Sequence, residues 1–142
     1  MALLYPVPPG TVLLCNYDTG FRPPEMVKRR PAVVISPRLP HREGLCTVVP
    51  LSTTPPERQV PYVCRLVLAQ PLPGPFTALT VWAKADMLAT VAFERLDLFR
   101  SGRGTDGRRQ YLRPRISAED LYRMRQCVAL ALGLGALTES HQ

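Results

Sequence analysis

Proline constrains this chain more than any other residue: 16 of its 142 positions carry one. A proline has no backbone N–H and a nearly fixed φ, so it ends strands, stiffens turns and breaks helix interiors. A chain punctuated this often is expected to fold as short strands joined by rigid loops, a small barrel or sandwich and not a helical bundle. A hydrophobic fraction of 46% is enough for a packed core. The length suits a single domain over residues 1–142.

The stretches between prolines fit that expectation. Thr11–Tyr17 is rich in β-formers and sits between Pro8-Pro9-Gly10 and Asp18-Thr19-Gly20, so it reads as a strand. Phe21–Arg30, holding Pro23-Pro24, reads as a loop. Ala32–Ser36 is a short apolar run stopped by Pro37, and Leu45–Leu51 is a third strand with Pro50 near its end. Tyr62–Leu68, Thr77–Ala83 and Met87–Phe93 would complete a sheet of five to seven strands over residues 10–99.

The character then changes. Residues 100–116 gather Arg100, Arg103, Arg108, Arg109, Arg113 and Arg115 with Gly102, Gly104 and Gly107, opposed by Asp106 alone. A flexible basic loop is expected there, either a solvated surface segment or an arm that grips phosphates through arginine forks. A helix should follow over 117–133. Ser117 stands at the N-cap with Asp120 three residues on, Ile116 and Leu121 can staple the first turn, and Gly133 is a natural stop. Leu121, Met124 and Val128 share a helical face that would dock on the barrel. Residues 134–142 should fray.

A net charge of +7 and a pI near 9.7 suit a polyanionic partner, whether nucleic acid or an acidic protein segment. No stretch approaches the length of a membrane span, and Met1–Gly10 lacks a basic region and a cleavage site, so a cytoplasmic address without membrane attachment is expected. Cys15, Cys46, Cys64 and Cys127 are scattered, three of them in strand-like runs, and read as reduced core thiols.

Much catalytic chemistry is excluded. The histidines are His41, in a loop, and His141, beside the C-terminus, so a histidine-based triad or a zinc site has little to draw on. There is no phosphate-cradling glycine loop, no dinucleotide fingerprint and no dense carboxylate set for Mg²⁺. No cofactor is expected. An enzyme built on this chain would work with Arg, Lys, Glu, Asp, Ser and Thr.

The ordered segments from Pro9 to Thr54 resemble the MazF/PemK family of toxins. They are Gly10-Thr-Val-Leu-Leu-Cys-Asn-Tyr-Asp18, then Glu25 five residues before Arg30-Pro31-Ala-Val-Val-Ile-Ser-Pro37, then Val49-Pro50-Leu51-Ser52-Thr53. Lys84-Ala85-Asp86 and Thr90 match a later family segment, and similarity extends over residues 9–99. The chain departs from the family pattern at Pro24, Met26, Ser52 (more often Thr) and Ala89, and in doubling the charge at Arg29-Arg30.

That resemblance implies an SH3-like barrel with a C-terminal helix, acting as a homodimer. It also implies the toxin of a toxin–antitoxin pair: a metal-independent endoribonuclease that cuts single-stranded RNA and is silenced by a cognate acidic antitoxin. RNA cleavage is within reach of the available side chains, because the 2′-hydroxyl of the substrate can attack its own neighbouring phosphate. The family's arginine maps to Arg30, its hydroxyl to Ser52 with Thr53 beside it, and its acidic loop position to Glu25. Lys84 and Asp86 map to a second acid–base pair. Lys28, Arg29, Arg108 and Arg109 are the expected RNA contacts. Two competing readings stand: a catalytically inactive barrel that grips nucleic acid, and a protein-binding inhibitor like the related toxin fold that poisons DNA gyrase.

Overall fold

The computed structural model describes residues 2–134. Expectations for residues 135–142, most of the fraying tail and His141 with it, lie outside the described residues. The elements are β1 (Val12–Asn16), β2 (Arg29–Val34), β3 (Leu45–Ser52), β4 (Val63–Val67), β5 (Thr80–Lys84), β6 (Ala89–Ala92), β7 (Leu96–Asp97), β8 (Phe99–Arg103), β9 (Arg109–Leu112) and α1 (Ala118–Ala131). Seven strands form one antiparallel sheet in the order β4-β5-β3-β2-β1-β7, with β6 also on β3. The molecule is a mainly β, SH3-like small barrel with a C-terminal helix.

The curvature comes from β3. One of its edges holds β2 through Val48↔Val34, Val49↔Val33 and Pro50↔Ala32. The opposite edge is shared: Leu45–Val48 pair with β6, and Leu51 and Ser52 pair with Ala83 and Trp82 of β5. A strand that serves two partners on one edge must turn one half of the sheet over the other. Alternation along the strands then fills both faces. Val12, Val33, Val49, Leu51, Leu66 and Val81 pack on one face, and Leu13, Cys15, Ala32, Val34, Val48 and Leu96 on the other.

Gly10 ties the ends of this barrel together. Its N–H donates to the Val34 carbonyl at 2.7 Å, and its own carbonyl accepts from Ile116 N–H at 2.9 Å. Its φ of +94° favours glycine, and a Cβ there would stand 3.6 Å from the Ile116 carbonyl oxygen. Next to it, Val12 N–H reaches Pro114 O at 2.8 Å.

Helix α1 begins where the sequence places it. Ser117 Oγ accepts from Asp120 N–H at 3.1 Å, and Glu119 and Asp120 put negative charge in the first turn. Gly133 lies just beyond the C-cap with φ +76°. Met124 is completely buried in the core, with Leu121 and Val128 packed beside it. The helix's arginines also bind strand ends: Arg125 Nε and Nη2 both donate to Ile35 O, and Arg123 Nη2 donates to Arg65 O.

Residues 100–116 are not a flexible loop throughout. Strands β8 and β9 form a hairpin, paired from Phe99↔Leu112 to Arg103↔Arg109 with a bulge between Arg100 and Gly102. Buried Phe99 roots it in the core, edge-on to Phe76. The turn closes through Gly104 N–H to Arg108 O at 2.8 Å and Arg108 N–H to Asp106 Oδ1 at 3.0 Å.

Because Met124 is the helix residue with no exposed surface, Met124→Ala should cost about 2–5 kcal/mol of stability. Urea unfolding of the two proteins checks this, with a lower midpoint at an unchanged m-value expected.

Candidate active site

Strand β2 begins at Arg29 and not at Ala32, which puts both members of the Arg29-Arg30 pair inside a pleat. Successive side chains of a strand leave opposite faces, so the two arginines diverge. Arg29 goes to the face of Leu14 and Asp97, where its Nη2 lies 2.9 Å from Asp97 Oδ2. It lines an open groove of about 670 Å³ with Phe76 and Arg100 of the hairpin. Arg30 goes to the opposite face, across from Cys15. Its Nε donates to the Val27 carbonyl at 2.7 Å, which fixes the start of the guanidinium group and leaves its terminal nitrogens for other partners.

Proline sets what faces Arg30. The β2–β3 pairing ends at Ala32↔Pro50, and Pro31, the next position whose nitrogen faces β3, brings no N–H to extend it. Arg30 and Ser52 are the next same-face positions on the two strands, and in the same register they oppose each other just beyond the last paired residues. Ser52 is 6% exposed, and its Oγ accepts from Thr54 N–H at 3.1 Å. Thr53 follows the strand and is exposed. On its other edge Ser52 is paired with Trp82, which in turn is paired with Arg65 of β4. Lys84 shares the face of Trp82, two residues along β5, and Asp86 is exposed in a short 3-10 turn just beyond.

Glu25 stands on the loop that leads into β2. Its Oε2 accepts from Arg22 N–H at 3.0 Å, closing a turn on itself, while Met26 beside it is buried. Lys28 is exposed with φ +74°. Arg95 holds this loop. Its Nη1 donates to Asn16 O at 3.1 Å and Thr19 O at 2.6 Å, and the guanidinium lies 4.9 Å from the Phe21 ring centroid. Nothing in the sequence marked Arg95 or Trp82, because an arginine in a short apolar segment and a tryptophan in a strand are both ordinary.

Arg30, Ser52, Trp82 and Lys84 therefore share a face, with the Glu25 loop anchored to Arg30 through Val27. Arg29 is drawn away from that cluster by the pleat and belongs with the hairpin. Arg108 is exposed near the hairpin turn, and Arg109 opens β9. Among the described residues no three His, Cys, Asp or Glu side chains converge as metal ligands would, and no helix is long and apolar enough to cross a membrane.

Behind Arg30 the barrel interior is apolar. Burial, and then the Cys15 thiol, hold the Tyr17 phenol well above its ordinary range, while the Arg30 cation pulls the other way. Its hydroxyl is buried without a hydrogen-bond partner among the described residues. Burial, with Cys15 adding to it, pushes the Cys46 thiol up to about 11, and burial likewise pushes Cys64 up to about 11.

This chain belongs to the PemK-like, MazF-like toxin family of type II toxin–antitoxin systems, whose family model it matches over residues 9–131. An uncharacterized protein of Escherichia coli (strain K12), YifN, is 33% identical over 103 residues, covering 70% of this chain and 68% of YifN. Among solved structures, the fold is similar to an endoribonuclease in complex with its cognate antitoxin from a Mycobacterial species. That match has a TM-score of 0.61 at 21% identity, over 91% of this chain and 97% of that one. MazF from Deinococcus radiodurans is similar with a TM-score of 0.59 at 21% identity, over 92% and 99% of the two chains.

A raised pKa means that the neutral thiol is favoured. At pH 8 a thiol with a pKa of about 11 is thiolate in roughly one molecule in a thousand, against roughly a quarter for an ordinary cysteine. Iodoacetamide should therefore label Cys46 and Cys64 of the folded protein at least ~100-fold more slowly than free cysteine at pH 8. Labelling should accelerate as pH rises toward 11, and urea-unfolded protein should lose the protection, as peptide mass mapping would show.

Proposed function

We propose that the chain is an endoribonuclease that cuts single-stranded RNA by attack of the substrate's 2′-hydroxyl on the adjoining phosphate. The observation that supports this reading is the β2–β3 register, which continued by one same-face position sets Arg30 opposite Ser52. The substrate brings its own nucleophile, so the protein has to align it, steady the phosphorane and move protons. Arg30 stays protonated and can fork onto phosphorane oxygens. Its Nε bond to Val27 O pre-orients it, which is how such stabilisation becomes effective. Ser52 Oγ, held by Thr54 N–H, has a proton free to donate to the phosphate. Glu25 lies on the tethered loop as a proton acceptor, and Thr53, Lys84 and Asp86 are candidates for contacting the RNA or passing protons.

In this reading the protein acts as a homodimer that binds RNA at the subunit interface. A cognate antitoxin with an acidic segment opposes it by competing for the same basic surface, and the +7 charge suits both ligands. Arg108 and Arg109, with Lys28 and Arg29, supply phosphate contacts that position RNA without reading its bases.

Arg30→Ala should lower the cleavage rate on the order of 10²–10³-fold at an unchanged melting temperature, measured on purified protein with RNA in EDTA. A rate within a few-fold of wild type would remove Arg30 from the mechanism. Ser52→Ala should reduce turnover more than RNA binding, and Ser52→Thr should retain it. Full activity in Ser52→Ala would pass the role to Thr53. If Glu25 is a base, Glu25→Gln should lose the acidic limb of the pH–rate profile, and an unaltered limb assigns it to ordering the loop.

The hairpin has a separate test. Neutralising Arg108 and Arg109 should weaken binding across all RNA sequences, leave the cleavage motif unchanged, and flatten the salt dependence by about 0.7 per lost contact. An unchanged slope in a filter-binding salt series would return both side chains to solvent.

A further inference from the structure

The row that contains Arg30 and Ser52 does not end at Ser52. Cross-strand pairing continues it to Trp82 on β5 and Arg65 on β4, and residues directly opposite on paired strands project from the same face. Trp82 is the single tryptophan of the chain and is half-buried, and it lines an outer groove of about 550 Å³. Pro55, Pro56 and Val60 of the segment after Ser52 form one wall of that groove, and Arg123 and Gln126 of α1 another. Arg65 is exposed on the floor beside Trp82. Arg123 is held in place by Asp120 Oδ1 at 3.0 Å and Arg65 O at 3.2 Å.

We propose that this groove is a nucleobase subsite in which a base flanking the scissile phosphate of single-stranded RNA stacks on Trp82. The proposal rests on the endoribonuclease reading and extends it by one nucleotide. A flat aromatic surface with apolar walls is what an unstacked base needs, and base–aromatic stacking tolerates any base. Arg65 gives the neighbouring phosphate a cation, and Gln126 gives the base edge both a donor and an acceptor. Continuity with the site decides the occupant. Ser52 and Trp82 are directly paired, so an RNA strand with its phosphate at Ser52 carries its next base to the Trp82 position. The flanking arginines favour a polyanion over an uncharged peptide.

The lone tryptophan reports on its own site. Titrating the wild-type protein with short mixed-sequence RNA, 2′-O-methylated so that it cannot be cut, should change the intrinsic emission in step with binding measured by anisotropy of labelled RNA. In steady-state cleavage Trp82→Ala should raise KM by roughly 5- to 150-fold, the range for losing one stacked base, with kcat much less affected. Trp82→Phe should restore most of the affinity because it keeps a stacking plane. Anisotropy that reports binding with no change in emission would overturn the subsite, as would a KM within twofold of wild type in a folded Trp82→Ala protein. Either result would leave the cleavage reading standing, since Arg30→Ala tests that independently. A wild-type protein that neither binds nor cuts RNA would overturn both.

Discussion

The divided edge of β3 is the constraint on which the rest of this structure depends. Because Leu45–Val48 pair with β6 and Leu51–Ser52 with β5, the sheet must fold over itself within one strand length. This creates the two apolar layers and brings β2, β3 and β5 side by side at one end. Pro31 leaves the β2–β3 ladder without its next donor, and Arg30 and Ser52 stand just beyond the last paired residues.

The site is layered around these two residues. Arg30 is fixed through the Val27 carbonyl, and Val27 belongs to a loop that Arg95, Phe21 and buried Met26 hold against the barrel. Order therefore passes from the apolar interior to the loop and from the loop to the guanidinium. Behind Arg30 the barrel is packed with buried side chains, Cys15 and Tyr17 among them, and burial raises the Tyr17 phenol and the Cys46 thiol above their ordinary ranges. In such surroundings a fixed cation is screened less than it would be in water.

Much of this was legible in the sequence. The strands, the Ser117 cap and the Leu121–Met124–Val128 face are local signals, written in β-branched runs, a side-chain oxygen at the right offset and helical spacing. Arg30, Glu25 and Ser52 were legible through their order along the chain. The failures concern pairing. Residues 100–116 read as a loop because glycine and arginine dominate them, yet Asp106-Gly107 is a common hairpin turn dipeptide and Phe99 an apolar anchor. The apolar run alone starts β2 at Ala32, three residues after its observed start at Arg29, so the divergence of Arg29 from Arg30 is not visible in the sequence. Trp82 could not be singled out until the β3–β5 register set it beside Ser52, and no linear motif encodes that register.

The knot at Gly10 has a consequence in time. The chain entering β1 is held by Pro114 and Ile116, so these backbone groups have no partner in the fold until residue 116 has been made. Helix α1, whose Met124 completes the core, comes later still. A nascent copy therefore cannot close this end of its barrel until helix α1 has been made.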